Sequence, residues 1–482
     1  MRLVSRFCAV GALLALGGCV TVGPDYAPPA TQAPEAWRAG AAAGASAAPT
    51  DPATLARWWS VLQDPVLTRL IERAASGSLD LRQAQARVRE ARARRGIASA
   101  DRFPTLAAAA SASRVRGSEE TGTGATTELY AAAFDARWEL DLFGSKRRAL
   151  ESATAGLEAS VADAQDVYVS LLAEVALNYV EVRSFQTRLA IAEANLGTQT
   201  ETYDITRWRA QAGLTTELDV QRARFNLEQT RAEIPSLRSG LEQAKNRLAV
   251  LLGERPGALA PELDAPAAIP VVPAEVAVGV PADVLRRRPD VRAAERRLAA
   301  QTAEVGVAAA ARYPGFALLG SIGLEALTGS RLFTSAARTS TAAANASWTV
   351  FDAGRLRRNV EVQGALAEQA LIGYEAAVLT ALNDVENALV AFGEEQARRA
   401  ALVDATRAAE LAANLATQQY NAGLIDFQVV LDAQRSLLSL QDRLAASEGE
   451  VSSNLIRLYK ALGGGWTPLA AADAAAKEGE AR

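Results

Sequence analysis

Residues Glu128 to Asp141 read ELYAAAFDARWELD, and this stretch decides the fold class. Its even positions from Tyr130 to Leu140 carry alanine, leucine and aromatic side chains. Its odd positions from Asp135 onward are all charged. Alternation with a period of two predicts a β-strand that has one apolar face and one polar face.

Three more segments carry a similar alternation. The segment Thr341 to Val350 places alanine, Trp348 and valine at even positions. Weaker runs cover Leu106 to Ala112 and Phe316 to Leu324. Strands of about ten residues with an interfacial Trp are typical of outer-membrane barrels, although a half-buried soluble sheet has the same pattern.

Four strands are too few to close a barrel, because membrane barrels need at least about eight strands and lipid does not tolerate open sheet edges. Two chains would supply eight strands, and side chains would fill the interior. Three chains would supply twelve strands and leave a lumen. The strand pattern therefore predicts an oligomer.

Segments of the first half recur in the second half at one constant spacing. This spacing, called the repeat offset, is the sequence distance from Asp80 to its counterpart Asp290. This single offset serves from about residue 80 to residue 253, which indicates a duplication without net insertion. The matching segments are Asp80–Arg82 with Asp290–Arg292, Phe103-Pro104 with Tyr313-Pro314, Trp138 with Trp348, Ala212–Leu214 with Ala422–Leu424, and Leu252-Gly253 with Leu462-Gly463.

Each half also contains a very long helical stretch. Ser145 to Ala212 has no Pro and is rich in Ala, Leu, Glu, Gln and Arg, which favours a helix. Leucine or alanine recurs every seven residues from Leu150 to Leu171, as in the seam of a coiled coil. Such a helix would be about 100 Å long. An extended coiled-coil scaffold without a pore fits the helical pattern equally well.

Residues 1 to 19 resemble a bacterial lipoprotein leader. Arg2 and Arg6 precede a short apolar core, and small residues lead to Cys19. The resemblance makes Cys19 the acylated N-terminus, and Val20 fits sorting to the outer membrane; a plain secretory signal is the alternative. No later segment has about 18 uninterrupted apolar residues, so we expect any later membrane crossing to use strands.

The rare residues limit the possible chemistry. The 482 residues include no His, a single Met at position 1, and two Cys, at positions 8 and 19. Once the leader is removed, this excludes His-based catalysis, zinc sites of Cys and His, and structural disulfides. A net charge of -4 leaves no basic surplus for nucleic acid, and no GxxxxGK[ST] phosphate loop occurs. We expect no enzyme, no metal site and no cofactor, apart from the covalent lipid on Cys19.

Composition divides the chain into six segments, because prolines separate the two copies and Ala-rich stretches flank them. Each repeat should contain a helix, two β-strands and a long helical hairpin. The expected segments are a lipoprotein signal peptide at 1–18, a lipid-anchored extended strap with a short helix at 19–63, the first repeat at 64–255, a Pro-rich linker at 256–282, the second repeat at 283–465 and a disordered tail at 466–482.

Together these motifs resemble the TolC-like outer-membrane factors, specifically the NodT-type efflux lipoproteins, over nearly the whole chain. The resemblance rests on segments from the leader to the end of the second repeat. They are Cys19-Val20 with Val22–Tyr26, Trp58-Trp59 with Asp64-Pro65 and Leu67, Trp138–Gly144, Ala212–Leu214 with Leu218–Val220, Arg288–Val291, Val430–Arg435, and Lys460–Trp466.

The resemblance implies a mixed α and β membrane protein. It would be a homotrimer with a twelve-stranded outer-membrane β-barrel, four strands from each chain, continued by a long periplasmic α-helical coiled-coil barrel. Such a trimer is the exit duct of a tripartite efflux system, lipid-anchored in the outer membrane with a large periplasmic portion. Its partners are a periplasmic adaptor and an inner-membrane pump, commonly of the resistance-nodulation-division (RND) type. A duct for secreted polypeptides and a poreless periplasmic scaffold are the alternatives.

The turns between the long helices and the returning helices are expected to form the periplasmic mouth. Gly at a helix C-terminus permits a left-handed turn, and Thr216 and Asp426 stand where they would cap the returning helices. By resemblance, these turns dock the adaptor's helical hairpins, although packing between neighbouring helices explains the leucines equally well. The docking candidates are Gly213, Leu214, Thr216, Leu218, Gly423, Leu424 and Asp426.

A carboxylate ring is the second expectation at this mouth, because three-fold symmetry would triple each aspartate and favour cations. Asp219 is equally placed to complete a capping box with Thr216, and Asp432 to pair with Arg435. By resemblance, Asp432 belongs to the closed gate, and Gln428 replaces a larger apolar residue there. The gate and selectivity candidates are Asp219, Asp432, Gln428, Tyr420 and Arg435.

Aromatic residues on the apolar strand faces are the expected lipid contacts. A membrane strand turns its apolar face to lipid and its polar face to the lumen. An introduced Arg should therefore impair assembly at a lipid-facing site, whereas a solvated sheet should tolerate it. The lipid-facing candidates are Tyr130, Phe134, Trp138, Phe316 and Trp348.

Overall fold

The structure is a computed structural model that describes residues 21–30, 33–38, 45–46, 52–273 and 276–466. The expected signal peptide, Cys19 and residues 467–482 lie outside the described residues. The chain divides into two compact units. Unit 1 takes its described residues from 1–30, 87–161 and 293–376, and unit 2 takes its described residues from 31–86, 162–292 and 377–482.

The described residues form ten α-helices and six β-strands. The helices are α1 Pro52–Ala56, α2 Pro65–Gly77, α3 Leu79–Ala100, α4 Ser145–Gln211, α5 Glu217–Leu251, α6 Ala260–Leu263, α7 Pro281–Arg287, α8 Pro289–Ala310, α9 Arg355–Asn421 and α10 Phe427–Ala461. The strands are β1 Ala45–Ser46, β2 Thr105–Arg116, β3 Thr126–Leu140, β4 Val276–Ala277, β5 Gly315–Ala326 and β6 Arg338–Ser347.

Four pairs of elements have equal lengths and are separated by the repeat offset. They are α3 and α8 with 22 residues each, β2 and β5 with 12, α4 and α9 with 67, and α5 and α10 with 35. β3 has 15 residues but β6 has only 10, so Trp348 and Val350 lie beyond the strand that the sequence predicts for them. β6 ends at Ser347, which pairs with Gly315 at the start of β5, so residues 348–350 have no strand partner among the described residues.

Local sequence accounts for the two 67-residue helices. Asp141 accepts hydrogen bonds from the backbone N–H groups of Lys146 at 3.0 Å and Arg147 at 2.9 Å as α4 begins. Asp352 accepts one from the N–H of Leu356 at 2.9 Å as α9 begins. A carboxylate at a helix N-terminus satisfies free donors and complements the helix dipole. The helix predicted from Ser145 is confirmed.

By length and composition alone, α9 is apolar enough to cross a membrane. Charged residues interrupt every stretch of about 18 residues in this helix, so it contains no uninterrupted apolar run of that length. The expectation that any later membrane crossing uses strands stays a prediction. Core helices of soluble proteins pass the same test, whereas the strands carry the alternation of apolar and polar residues that is typical of membrane barrels.

β2, β3, β5 and β6 form one antiparallel sheet in this order. Phe134 of β3 pairs with Ala108 of β2 and with Ile322 of β5, whereas the adjacent Asp135 pairs with Ser321. Directly opposed residues point to the same face, so the register collects the apolar positions on one face and the polar positions on the other. The alternation predicted for β3 is confirmed and continues across the sheet.

Unit 1 leaves both faces of this sheet accessible in its described part. On the apolar face, Phe134 is 54% exposed and Ile322 is 64% exposed. All residues of the outer strands β2 and β6 are exposed. A soluble half-buried sheet would cover its apolar face with a core. Within the described residues of the single chain, no such core covers the apolar face.

Unit 2 contains a large aromatic and aliphatic core around Trp58. This side chain is 1% exposed, stacks on Tyr459 at a centroid distance of 5.7 Å and meets Trp59 edge-on. Asp64 caps α2 by accepting a hydrogen bond from the N–H of Val66 at 2.8 Å. The Trp58-Trp59 and Asp64-Pro65 motifs thus have structural roles in this core.

The ends of the expected segments contain ordered structure. The expected linker includes α6, whose Pro261 lies in the first helical turn, where its missing N–H costs no hydrogen bond. Trp466, the first residue of the expected tail, is buried, and the guanidinium of Arg292 lies 5.2 Å from its ring centroid. Packing therefore reaches at least to Trp466.

Residues 21–30, which follow the expected lipid anchor, belong to unit 1 and contact its helices α4 and α8. The buried Arg148 pairs with Asp25 at 2.6 Å and donates a hydrogen bond to the carbonyl oxygen of Val22 at 3.4 Å. The Tyr26 hydroxyl donates a hydrogen bond to Glu295 Oε1 at 3.0 Å. Burial and the Glu295 carboxylate raise the pKa of Tyr26 to about 12, so the phenol remains a donor at neutral pH.

Candidate functional site

The two helical turns close in the same way, at tip 1 (residues 212–216) and tip 2 (residues 422–426). Gly213 and Gly423 have φ angles of +75° and +76°. The N–H of the residue after each glycine donates to the carbonyl oxygen five positions earlier, at 2.8 and 2.9 Å respectively. This hydrogen bonding is the Schellman motif, so the predicted glycine turns are confirmed.

Exposed leucines lie in both tips and, at Leu218, in the helical turn that follows tip 1. Leu214 is 69% exposed, Leu218 is 58% exposed and Leu424 is 73% exposed. Packing within one chain therefore does not cover these side chains. Their exposure is compatible with contacts to another copy or to another protein.

Asp219 completes a capping box at the start of α5. Its Oδ2 accepts hydrogen bonds from the N–H of Thr216 at 3.3 Å and from the Thr215 hydroxyl at 2.8 Å, and Thr216 Oγ1 accepts one from the N–H of Asp219 at 3.3 Å. Partial burial raises the pKa of Asp219, but the hydrogen bonds from Thr216 and Thr215 outweigh this and hold the pKa below its ordinary value. The capping alternative is confirmed, and the carboxylate ring stays a prediction.

Tip 2 is held differently. Asp426 stands at the N-cap with an extended backbone, but its side chain makes no capping hydrogen bond, so the expectation that it caps α10 is wrong. The third helical position here is Val429, so the reciprocal bond that fixes Thr216 at tip 1 has no counterpart. Instead, Phe427 and Val430 are buried in a small apolar cluster at the start of the helix.

The structure brings three of the gate candidates together on α10. Gln428 Nε2 donates to Asp432 Oδ1 at 2.9 Å, and Arg435 Nη2 pairs with the same oxygen at 2.6 Å. The Asp432 side chain is still 56% exposed. The surface pairing of Asp432 with Arg435 is therefore confirmed, and a ring of Asp432 carboxylates stays a prediction.

Tyr420, the remaining gate candidate, contacts a residue that sequence reasoning missed. The guanidinium of Arg209 lies 4.7 Å from the Tyr420 ring centroid, and Tyr420 also packs against Phe427 at 5.1 Å. Cation–π contacts of this kind stabilise by about 0.5–1 kcal/mol at exposed sites. A basic residue in the last turn of α4 was visible in the sequence, but its position beside Tyr420 required the fold.

Trp138 and Trp348 are oriented in the same way in the two halves. The indole N–H of Trp138 donates to the carbonyl oxygen of Arg102, and that of Trp348 donates to the carbonyl oxygen of Arg312, both at 3.0 Å. Such an amphipathic indole suits a membrane–water interface. The register places four of the lipid-facing candidates on the apolar face, namely Tyr130, Phe134, Trp138 and Phe316.

A family model described as outer membrane efflux protein matches residues 70–254 and again residues 280–464. The two matches together cover more than half of the chain. The chain belongs to the outer membrane efflux protein family. The resemblance to TolC-like outer-membrane factors is thereby confirmed.

Curated relatives in this family match nearly end to end. Nodulation protein T of Rhizobium leguminosarum bv. trifolii is 34% identical over 95% of this chain and 97% of its own length. The solvent efflux pump outer membrane protein SrpC of Pseudomonas putida is 34% identical with the same coverage. Outer membrane protein OprJ of Pseudomonas aeruginosa is 34% identical over 94% of each chain.

Solved outer-membrane channels share the fold. The channel OprN superposes with a TM-score of 0.88 at 41% identity, over 93% of this chain and all of the OprN chain. The open state of the MtrE channel of Neisseria gonorrhoeae gives 0.83 at 30% identity, over 92% of this chain and 98% of that one. The expected mixed α and β fold of an outer-membrane channel is thus confirmed for the single chain.

No group of three or more possible metal-ligating side chains occurs within the described ranges. The named efflux family members are channel and transport proteins rather than enzymes. Cys19, the expected lipid attachment site, lies outside the described residues.

Proposed function

We propose that three copies of this chain form the exit duct of a tripartite efflux system in the outer membrane. The duct is passive: an inner-membrane pump supplies the energy, and substrates leave through the lumen. Four strands from each copy form a twelve-stranded barrel, and the long helices continue its lumen as a coiled-coil barrel.

The open edges of the sheet carry this proposal. β2 and β6 are the outer strands of the four-stranded sheet, so among the described residues each has unpaired backbone groups on one side. Lipid does not tolerate such edges, whereas a closed ring of strands satisfies them. Twelve strands, unlike eight, leave a lumen.

The internal duplication supports the same assembly. Four pairs of elements of equal length are separated by the repeat offset, so one chain supplies two similar wall segments. Three chains would supply six such segments around the axis. A closed symmetric ring of this kind is the common form of homo-oligomers.

The proposed partners follow from the exposed tips and the expected leader. Tips 1 and 2 present Leu214 and Leu424 to a periplasmic adaptor, which connects the duct to a pump of the RND type. A lipid on Cys19 would hold residues 21–30 near the membrane. Arg148 would then fasten this strap to the chain through its ion pair with Asp25.

The mouth is proposed to act as the gate, with Asp432 as a ring of three carboxylates on the axis. We expect Asp432→Ala to lower the cation selectivity and to raise the resting conductance in planar bilayers. Asp404→Ala is the matched control, because Asp404 forms the same kind of i,i+3 pair, with Arg407, about 26 Å along the helix from the end of α9. Equal behaviour of the two variants would exclude a gating role for Asp432.

The duct itself is tested on the wild-type chain. We expect the purified protein to have the mass of three chains in detergent and to form ion-conducting pores in planar bilayers. A single-chain mass without conductance would refute the proposal and would favour a poreless scaffold.

A further inference from the structure

Unit 2 contains a cavity of about 580 Å³ that is lined by residues of α4, α9 and α10 and by the start of α8. Asp166 lines it from α4, Asp384 from α9 and Lys460 from α10. Arg288 and Asp290, which flank the first residue of α8, complete its charged lining on that side. The volume lies in the range of small-molecule sites.

Most of the charge in this lining is paired within the chain. Arg288 donates to the two carboxylate oxygens of Asp290 at 3.0 and 2.7 Å, and it also pairs with Asp384 at 2.9 Å. Arg457 pairs with Glu450 at 2.6 Å. These ion pairs account for five of the seven charged side chains that line the cavity.

Three other polar side chains of the lining have no such partner. Asp166, Lys460 and Asn387 form no hydrogen bond and no ion pair with the part of the chain that the structure describes. Burial raises the pKa of Asp166, and the nearby Asp290 raises it further, whereas Lys460 opposes the rise. The Asp166 carboxylate has thus lost water without gaining a hydrogen-bond donor, which is unfavourable for a charged group.

The internal duplication indicates that the fold does not need the two unpaired charges. One repeat offset away, the counterpart of Asp166 is Ala376 and the counterpart of Lys460 is Val250. A lysine in the last turn of a helix complements the helix dipole. However, α5 has the same length as α10 and no basic residue in its last turn, so this helix forms without one.

We propose that this cavity binds a short zwitterionic peptide, with Asp166 contacting its terminal ammonium group and Lys460 contacting its terminal carboxylate. Asp166 and Lys460 influence each other electrostatically but form no ion pair, so a ligand that carries both charges can bridge them. The Asn387 amide both donates and accepts hydrogen bonds, as a peptide group between the two ends requires.

The rest of the lining agrees with this class of ligand. Ala388, Ala391 and Ala461 are small and apolar, so they provide room for methyl-sized side chains. The seven charged side chains carry three positive and four negative charges, a near balance that suits a zwitterion better than a simple anion or cation. They are Arg288, Arg457 and Lys460 with Asp166, Asp290, Asp384 and Glu450.

This inference goes beyond the proposed function, because the cavity lies within one chain and a duct could conduct with or without a ligand there. Ligand-observed NMR titration of the full-length protein in detergent tests it, with L-alanyl-L-alanine as the probe. We expect a Kd on the order of 0.1 mM, which is reasonable for a ligand of about eleven non-hydrogen atoms.

Two capped probes remove one charge each. N-acetyl-L-alanyl-L-alanine lacks the ammonium group, and L-alanyl-L-alanine amide lacks the carboxylate. Each should bind about tenfold more weakly than the free dipeptide, because each loses a charge-assisted hydrogen bond. A parallel titration with D-alanyl-D-alanine distinguishes peptides of cell-wall origin from peptides of protein origin, and a preference for either form supports a zwitterion site.

Variants assign each charge to its side chain. Asp166→Asn should abolish the tenfold difference between the free and the N-acetylated dipeptide while keeping the difference caused by the amide. Lys460→Gln should do the reverse. The difference that each variant retains shows that its cavity is still folded. Asp204→Asn is the matched control, because Asp204 is another aspartate of α4 but pairs with Arg207, and it should keep both differences.

The outcomes separate this inference from the proposed function. Loss of the matching difference in each variant supports the site. Equal affinity of all three probes for the wild-type chain, no binding of the free dipeptide at about 10 mM, or unchanged differences in both variants overturns it. None of these results affects the mass of the assembly or its conductance, which test the duct.

Discussion

Replacing Thr216 with alanine should loosen tip 1 by an amount that the structure sets. The change removes the Oγ1 that accepts the N–H of Asp219 at 3.3 Å and donates to its carboxylate at 2.7 Å. Loss of an N-cap of this kind costs about 1 kcal/mol, within a range of roughly 0.5–2 kcal/mol. Because RT is about 0.6 kcal/mol, the local opening equilibrium of the first turn of α5 should rise about fivefold.

Hydrogen–deuterium exchange on the intact protein measures this change in peptides that cover the first turns of α5 and α10. Asp426→Ala at tip 2 is the matched control, because Asp426 holds the same N-cap position without a side-chain capping bond. We expect about fivefold faster exchange at tip 1 in Thr216→Ala and a change of less than about twofold at tip 2 in Asp426→Ala. Equal effects at the two tips, or unchanged exchange in Thr216→Ala, would refute the capping argument.

Three further predictions use other features of the chain. Because the pKa of Asp219 is depressed in the folded chain, its stabilisation of tip 1 is complete above the ordinary aspartate pKa of about 3.9. This stabilisation is lost as the pH falls through the lower pKa of the folded state. Hydrogen exchange at tip 1, corrected for the intrinsic rate, should therefore be unchanged from pH 7 to pH 5. Ala344→Arg on the apolar face of β6 should cost about 2–4 kcal/mol in lipid and should lower the yield of assembled protein in outer-membrane fractions. The neighbouring Ala343→Arg on the polar face should assemble normally. Equal yields of the two variants would contradict a lipid-facing sheet. Arg148→Ala removes charged hydrogen bonds to residues 21–30 that stabilise this contact by on the order of 1–2 kcal/mol, so proteolytic release of residues 21–30 should become about tenfold faster. In the same digestion, Arg358→Ala should leave the release rate unchanged.

The apolar face of β3 illustrates how far local pattern reaches. Alternation from Tyr130 to Leu140 predicted the strand and its two faces, because side chains on a strand alternate whatever lies beside it. It could not predict that Phe134 is opposite Ile322 rather than a residue two positions away, because β3 and β5 are far apart in the chain and their register depends on the whole length of the paired strands. The length of β6 was not predictable either: alternation continues to Val350, but the strand ends at Ser347 because strand length depends on a paired neighbour.

The sequence by itself determined the long helices, the glycine turns and the duplicated plan, because each follows from residues a few positions apart or from a simple offset. Tertiary structure decided that Arg209 lies beside Tyr420, and that Arg148 is buried against the strap while its counterpart Arg358 is exposed. These contacts join residues far apart in the chain or depend on packing around them. Local propensity carries no information about such contacts, because they depend on how elements distant in the chain pack against one another.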